Sequence, residues 1–255
     1  MMKKYVYSGA KQVVVCGDIH GEFRGMVYNM CDRFRMTDTL LIVAGDCGFG
    51  FERVGYYEAI YQRVVRKLRK YNNWVVFVRG NHDAPLYFNE EKVSHNRFRC
   101  VPDYSVIEVC DRNILCVGGG ISIDRKLRKE ANVRLELKGV ACYWSDEGPV
   151  YDPVKIEIIS KYCSIDTVVT HTAPSFCPLL DKHGVSSWIT KDPDLSIDLD
   201  EERKLMDQIY CDLLKYHHPL KRWYYGHFHE SATTHVDNVV FKMLDINEMS
   251  EIRSD

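Results

Sequence analysis

Val13-Val14-Val15-Cys16-Gly17-Asp18-Ile19-His20-Gly21 is the stretch on which the reading of this chain turns. A short apolar, β-branched run reads as a buried strand. It ends in Asp18 and His20, two residues apart, so both side chains leave one strand end toward the same side. Gly17 and Gly21 permit the tight backbone there. The pattern returns four times. Residues 40–43 precede Gly45-Asp46-Cys47-Gly48, and Trp74–Val78 precedes Gly80-Asn81-His82-Asp83. Thr167–Thr170 leads to His171, and Arg222–Tyr225 leads to Gly226-His227-Phe228-His229. Open α/β sheets gather ligands at the carboxyl ends of their strands. Five such ends carrying carboxylate, amide and imidazole groups therefore describe one site assembled from distant parts of the chain. Of the 10 histidines, five (His20, His82, His171, His227, His229) fall inside these segments, which chance scatter does not produce. The mixed donor set suits two hard or borderline cations.

Working outward, the spaces between the first strands carry helical periodicity. Phe23, Met26, Val27, Met30 and Phe34 recur at helical spacing. So do Tyr57, Ile60, Tyr61, Val64, Val65 and Leu68, with Arg63, Arg66, Lys67 and Arg69 on the opposite face. The order β-α-β-α-β predicts a parallel sheet with right-handed crossovers. The basic run 66–70 ends a helix, where cations suit the dipole, and reads as a solvated face. Beyond Asp83, strands are expected at Ser105–Val109, 114–117, Thr167–Thr170, Arg222–Tyr225 and 239–244. A helix carrying Leu205, Met206, Ile209, Leu213 and Leu214 is expected before the last two, with Asp198, Asp200, Glu201 and Glu202 at its start. Residues 121–150 and 172–199 lack periodicity and read as loops over the site. No linker or repeat interrupts the chain, so residues 1–255 read as a single domain.

Composition narrows the partners. Hydrophobic residues make up 45% of the 255, and the formal charge is −2. That is ordinary for a globular protein and argues against a general nucleic-acid or membrane-surface binder. The first ten residues hold Lys3 and Lys4 but no long apolar run, so neither a signal peptide nor a membrane span is read. Ten cysteines without a Cys-x-x-Cys pair read as reduced thiols of a cytoplasmic protein. Cys16 and Cys47 neighbour candidate ligands, yet alternation along a strand turns neighbours to opposite faces, so both read as packing residues.

The order Asp-x-His, Gly-Asp, Gly-Asn-His-Asp, His, Gly-His-x-His resembles the calcineurin-like metallophosphoesterase superfamily, over Asp18 to His229. The resemblance implies a four-layer α/β/β/α sandwich, with two mixed sheets face to face and outer helices. It implies two divalent metal ions: Asp18, His20 and His229 on the first, Asn81, His171 and His227 on the second, and Asp46 bridging. Manganese or iron is the leading choice, with zinc or nickel as alternatives. His82, beside ligand Asn81, becomes the general acid. The implied activity is hydrolysis of a phosphomonoester, small or borne on a protein. A phosphodiesterase acting on cyclic nucleotides or dinucleotides is the alternative, and a non-catalytic scaffold a third. The sequence leaves the oligomeric state open.

The chain departs from the family in one place. Many members continue Gly-Asp-x-x-Asp, and the second Asp orients the acid histidine; here that position is Phe49, in Gly48-Phe49-Gly50-Phe51. Asp83 or Glu52 is the expected substitute, or a backbone carbonyl. The Arg that often follows is also missing, so phosphate requires another cation. Arg125 is the first choice, then Arg24 and Arg79, because guanidinium binds phosphate in bidentate fashion. Tyr143, Trp144 and His183 are candidates to line a leaving-group pocket.

Overall fold

The computed structural model describes residues 2–136, 140–178 and 184–253. In chain order the strands are β1 Lys4–Val6, β2 Gln12–Cys16, β3 Thr39–Ala44, β4 Trp74–Val78, β5 Ser94–His95, β6 Phe98–Cys100, β7 Ser105–Val109, β8 Arg112–Val117, β9 Thr167–Thr170, β10 Arg222–Tyr225, β11 Ala232–Val236, β12 Val239–Met243 and β13 Met249–Glu251. The helices are α1 Phe23–Tyr28, which runs into a π-helical turn Asn29–Arg33, then α2 Tyr56–Lys70, α3 Pro85–Asn89, α4 Arg125–Glu136, α5 Pro153–Tyr162, α6 Val185–Ile189 and α7 Leu195–Lys215.

One sheet runs β13-β2-β3-β4-β6-β5 and the other β1-β7-β8-β9-β10-β12-β11. Both are mixed. In the first, β2, β3, β4 and β6 are parallel and the outer pairs antiparallel. In the second, β8, β9, β10 and β12 form the parallel centre.

The period-two alternation of strands builds the layers. Val13, Val15, Leu40, Ile42 and Val76 face Ile107, Ile114, Cys116, Val169 and Tyr224 in the core between the sheets. Their neighbours Val14, Cys16, Leu41, Val43 and Phe77 face the other way, onto Phe23, Met26 and the buried stripe of α2. Val106, Leu115, Val168, Trp223 and Phe241 likewise pack outward onto Ile156 and Ile159 of α5 and Met206, Ile209 and Leu213 of α7. This is the expected four-layer α/β/β/α arrangement. Cys16 and Cys47 belong to the outer apolar cluster, and the Cys47 thiol donates to Val78 O at 3.2 Å. All ten cysteines are free thiols.

Two of the stretches expected to be loops contain helices. Residues 121–150 hold α4, and 172–199 hold α6 and the start of α7. Periodicity does not show α4 because its apolar residues Leu127 and Val133 are exposed. Polar contacts hold it instead. Arg128 Nε donates to Asp124 Oδ1 at 2.6 Å, and Asn132 Oδ1 accepts from Cys142 N at 2.8 Å.

Candidate metal centre

The central strands of both sheets end on one side of the sandwich. β2 leads to Asp18 and His20, β3 to Asp46, β4 to Asn81 and His82, β9 to His171, and β10 to His227 and His229. The turns after these strands are strained. His20 (φ 42°), Asp46 (φ 45°), His227 (φ 71°) and His229 (φ 53°) all occupy the left-handed region, which costs non-glycine residues about 1–3 kcal/mol each. Surrounding hydrogen bonds hold them there. The His20 amide donates to Asp46 O at 2.8 Å, and the His227 amide to Asp18 Oδ1 at 3.0 Å. Two glycines make the approach possible. A Cβ on Gly45 would lie 2.2 Å from His171 Nδ1, and one on Gly226 would lie 2.0 Å from Asp18 Oδ1.

All seven residues expected to hold metal come together. Donor atoms of Asp18, His20, Asp46 and His229 lie within 4.8 Å of one another. On the other side of Asp46, its Oδ1 is 3.1 Å from His171 Nε2. His171 Nε2 in turn sits 2.8 Å from Asn81 Oδ1 and 3.1 Å from His227 Nδ1. Asp46 therefore belongs to two donor groups at once.

The chemistry of this donor set fits two cations. His171 Nδ1 lies 2.9 Å from Ala44 O, a contact that places a proton on Nδ1 and turns Nε2 toward the donor group. Nε2 faces a carboxylate, an amide oxygen and a second imidazole. His20 Nε2 and His229 Nε2 face each other at 3.0 Å. Asp18 Oδ2 is buried without a well-formed hydrogen bond, although His229 Nε2 lies 3.0 Å away. The carboxylates of Asp18 and Asp46 are buried among these rings, and buried negative charge is stable only beside positive charge.

The electrostatics agree. Burial disfavours a charged His171, but the carboxylates of Asp46 and Asp18 outweigh it and raise its pKa to about 10. Burial also works against the Asp46 charge, yet His82 and His171 hold its carboxyl well below the usual range. Burial and the neighbouring His171 push His227 well below its ordinary value. Asp46 and Asp18 thus favour positive charge at His171, while burial keeps His227 neutral.

Several side chains stand elsewhere than expected. Asp83 does not orient His82. Its fully buried carboxylate accepts four backbone amides: Cys47 at 3.0 Å, Gly48 at 2.8 Å, Phe49 at 2.9 Å and Gly80 at 2.8 Å. It ties the Asp46 loop to the Asn81 loop. Phe49 is a core ring, 5.0 Å from Phe23, 4.9 Å from Tyr57 and 5.1 Å from Phe77, so aromatic packing occupies the position of the family carboxylate. The acid nearest His82 is Asp46, with Oδ2 3.8 Å from Nδ1. Burial lowers the His82 pKa and Asp46 counters it.

Arg125 is not available for phosphate: Asp192 (2.7 Å) and Asp198 hold it. Arg24 lines a separate surface groove with Glu22, Arg63 and Lys67. Arg79 is buried, bound to Asp103 Oδ2 at 3.0 Å and to the carbonyls of Glu147 (2.6 Å) and Gly148 (3.1 Å). Tyr143 lies under Lys129, and Trp144 packs edge-on against Phe51 at 5.1 Å. His183 lies outside the described residues.

Sequence reasoning missed three groups. Arg128, from α4, and Asp124, just before it, line a cavity of about 310 Å³ together with Asp46, Asn81, His82, His227 and His229. Nothing in the sequence separates Arg128 from Arg125; only the helix register does. The third group is a chain of hydrogen bonds behind Asn81. Asn81 Nδ2 donates to Ser122 Oγ at 2.9 Å, and Ser122 Oγ donates to Glu147 Oε2 at 2.7 Å. Glu147 Oε1 also accepts from the Ser122 amide at 2.8 Å. This direction of donation leaves Asn81 Oδ1 facing the donor cluster.

A pair of packed mixed sheets with Asp, Asn and His donors at their strand ends defines a protein built around a candidate metal site. The sequence model of the calcineurin-like phosphoesterases matches residues 11–231, and the chain belongs to that family. Among curated proteins it is similar to the serine/threonine-protein phosphatase 6 catalytic subunit of Drosophila melanogaster, 28% identical over 159 residues, covering 52% of this chain and 50% of that protein. The Caenorhabditis elegans counterpart is 27% identical over 176 residues, covering 58% and 49%. The chain thus spans about half the length of these relatives. Among solved structures it is similar to phosphopantetheinyl hydrolase of Mycobacterium tuberculosis, with TM-score 0.40, 18% identity and coverage of 94% and 91%. It is also similar to GAP50 of the Plasmodium inner membrane complex, with TM-score 0.45, 13% identity and coverage of 92% and 71%.

Proposed function

We infer that this protein is a metal-dependent phosphomonoesterase. The observation that carries the reading is Asp46, which shares its carboxylate between the Asp18–His20–His229 group and the Asn81–His171–His227 group. Family membership supports it. Asp18, His20 and His229 would hold one ion, Asn81, His171 and His227 the other, with Asp46 common to both. When bound, two divalent ions neutralise the phosphate anion and supply an activated water. The mixed set of four imidazoles, two carboxylates and one amide admits manganese or iron, the leading choice, with zinc and nickel as the competitors.

The protein's own residues do the rest. The Ala44 carbonyl keeps His171 in the ligating tautomer. Ser122 keeps the Asn81 oxygen forward. Asp83 clamps the loops that carry Asp46 and Asn81. His82 lines the cavity and delivers a proton to the leaving oxygen. Arg128 is the guanidinium that lines the same cavity; it is bound through Nε to Asp124 and through Nη1 to the Cys142 carbonyl, so phosphate oxygens would compete with Asp124 for it. The intact donor set argues against a scaffold role. Ten free thiols support a reducing, cytoplasmic setting, and no helix among the described residues is long and apolar enough to cross a membrane.

The test is the ratio of hydrolysis rates for 4-nitrophenyl phosphate and bis(4-nitrophenyl) phosphate by the metal-loaded protein. Preference for the monoester is expected. Preference for the diester would move the protein to the phosphodiesterases, and hydrolysis of neither would make it a scaffold.

A further inference from the structure

Beside the donor cluster, the cavity has an apolar wall. Ile123 contributes from just before α4, Val185 and Trp188 from α6, Leu199 from the first turns of α7, and Phe228 from between two candidate ligands. Val185 and Trp188 are three residues apart on one helix, a spacing that puts both on one face. The Phe228 ring is held edge-on to His227 at 4.9 Å, with the Arg203 guanidinium 6.0 Å over it. Lys191 covers the Trp188 indole at 4.8 Å from its centroid. Asp124 and Arg128, which also line the cavity, are bonded to each other at 2.6 Å.

We propose that this wall is a leaving-group subsite for planar, apolar groups, so that the substrates are small aryl phosphates rather than phosphoproteins or sugar phosphates. The proposal rests on the phosphoesterase reading. Its argument is chemical. Hydroxyls or a zwitterionic headgroup placed against Ile123, Val185, Trp188, Leu199 and Phe228 would lose water and gain no partner. An aromatic ring loses nothing polar and gains contact with two aromatic side chains. The volume of about 310 Å³ is at the lower end of the range for small-molecule pockets, roughly 300–1,000 Å³. That suits a phosphoryl group with one or two fused rings better than a folded protein's loop.

Phenyl phosphate and 2-naphthyl phosphate have leaving groups of nearly equal basicity, so their ratio of kcat/KM reports the subsite and not the chemical step. The expected preference for naphthyl is about tenfold, the scale on which an apolar pocket discriminates. Trp188→Ala should bring that ratio toward one, and so should Ile123→Ala, which guards against a folding defect in either variant. A wild-type ratio near one, or an unchanged ratio in both variants, would overturn the proposal. Calorimetry with 2-naphthylmethylphosphonate, which cannot be hydrolysed, separates the two readings. Binding about tenfold weaker in Trp188→Ala supports the subsite even if no ester is cleaved. Equal binding by wild type and Trp188→Ala overturns it even if esters are cleaved.

Discussion

Asp83→Asn removes one oxygen and inserts a donor into a buried cluster of donors. In the wild type, Oδ1 accepts from the amides of Gly48 and Phe49, and Oδ2 from those of Cys47 and Gly80. Asparagine offers one acceptor and one NH₂ in the same shape. Whichever way the amide is turned, two of the four backbone N–H groups face a donor. The side chain is wholly buried, so water does not compensate. An unsatisfied buried donor costs about 1–3 kcal/mol, which puts the loss at about 2–6 kcal/mol. Relief of a carboxylate whose pKa is raised to about 7 by burial and by Asp46 offsets part of it. Since whole-domain stabilities are about 5–15 kcal/mol, the variant should unfold at visibly lower urea concentration. Metal affinity should fall with it, because the same loop carries Asp46. Turnover per folded, metal-loaded molecule should stay near wild type. An unchanged urea midpoint with a kcat lowered 10–100-fold would show that Asp83 orients His82 and that this reasoning is wrong.

His82→Ala should retain metal and lose about 10²–10⁴-fold in kcat on alkyl phosphates, with a much smaller loss on nitrophenyl phosphate, whose leaving group needs little protonation; equal losses on both would remove His82 as the acid. Ser122→Ala should let the Asn81 amide turn and weaken binding of one of the two metal ions by about 10–100-fold in a chelator competition titration, with Glu147→Gln acting in the same direction; unchanged affinity in both would make the Asn81–Ser122–Glu147 chain merely structural. Stability should depend on pH through His218, remote from the site. Its Nδ1 accepts from Ile165 N at 2.9 Å, its Nε2 lies 2.8 Å from Ser160 Oγ, and burial lowers its pKa from 6.5. The folded state therefore binds fewer protons than the unfolded one, and stability present above pH 6.5 is lost as pH falls below it. The urea midpoint of wild type should drop from pH 7 to pH 5 more steeply than that of His218→Gln, and parallel profiles would contradict the assignment.

The convergence of the candidate donors was legible because each lies within a few residues of a strand's end, and the strands announce themselves as continuous apolar runs buried on both faces. Val13 to Cys16 and Trp74 to Val78 are such runs, and both are buried throughout. The layers follow from the same alternation. What lay beyond reading was whatever depends on helix register and long-range polar contacts. Arg125 and Arg128 look alike in sequence and both are ion-paired, Arg125 with Asp192 and Asp198 and Arg128 with Asp124, yet Arg128 lines the cavity and Arg125 does not. Asp83 looked like a replacement for the missing family carboxylate, because spacing does not show that four amides converge on it. The α4 helix carries no apolar stripe, so the stretch that supplies Ser122, Ile123, Asp124 and Arg128 read as a loop.

On the reading above, Asp46 binds two cations at once and catalysis depends on both. The direct measurement is hydrolysis of 4-nitrophenyl phosphate against metal content per chain, by elemental analysis, as chelator-stripped protein is reloaded with Mn²⁺, for wild type and Asp46→Asn. The stripped protein should be folded but inactive, activity should rise to a maximum at two ions per chain, and Asp46→Asn should reach neither full loading nor a near-normal rate. Full activity in metal-free protein, or an Asp46→Asn variant with two ions and a normal kcat, would contradict it.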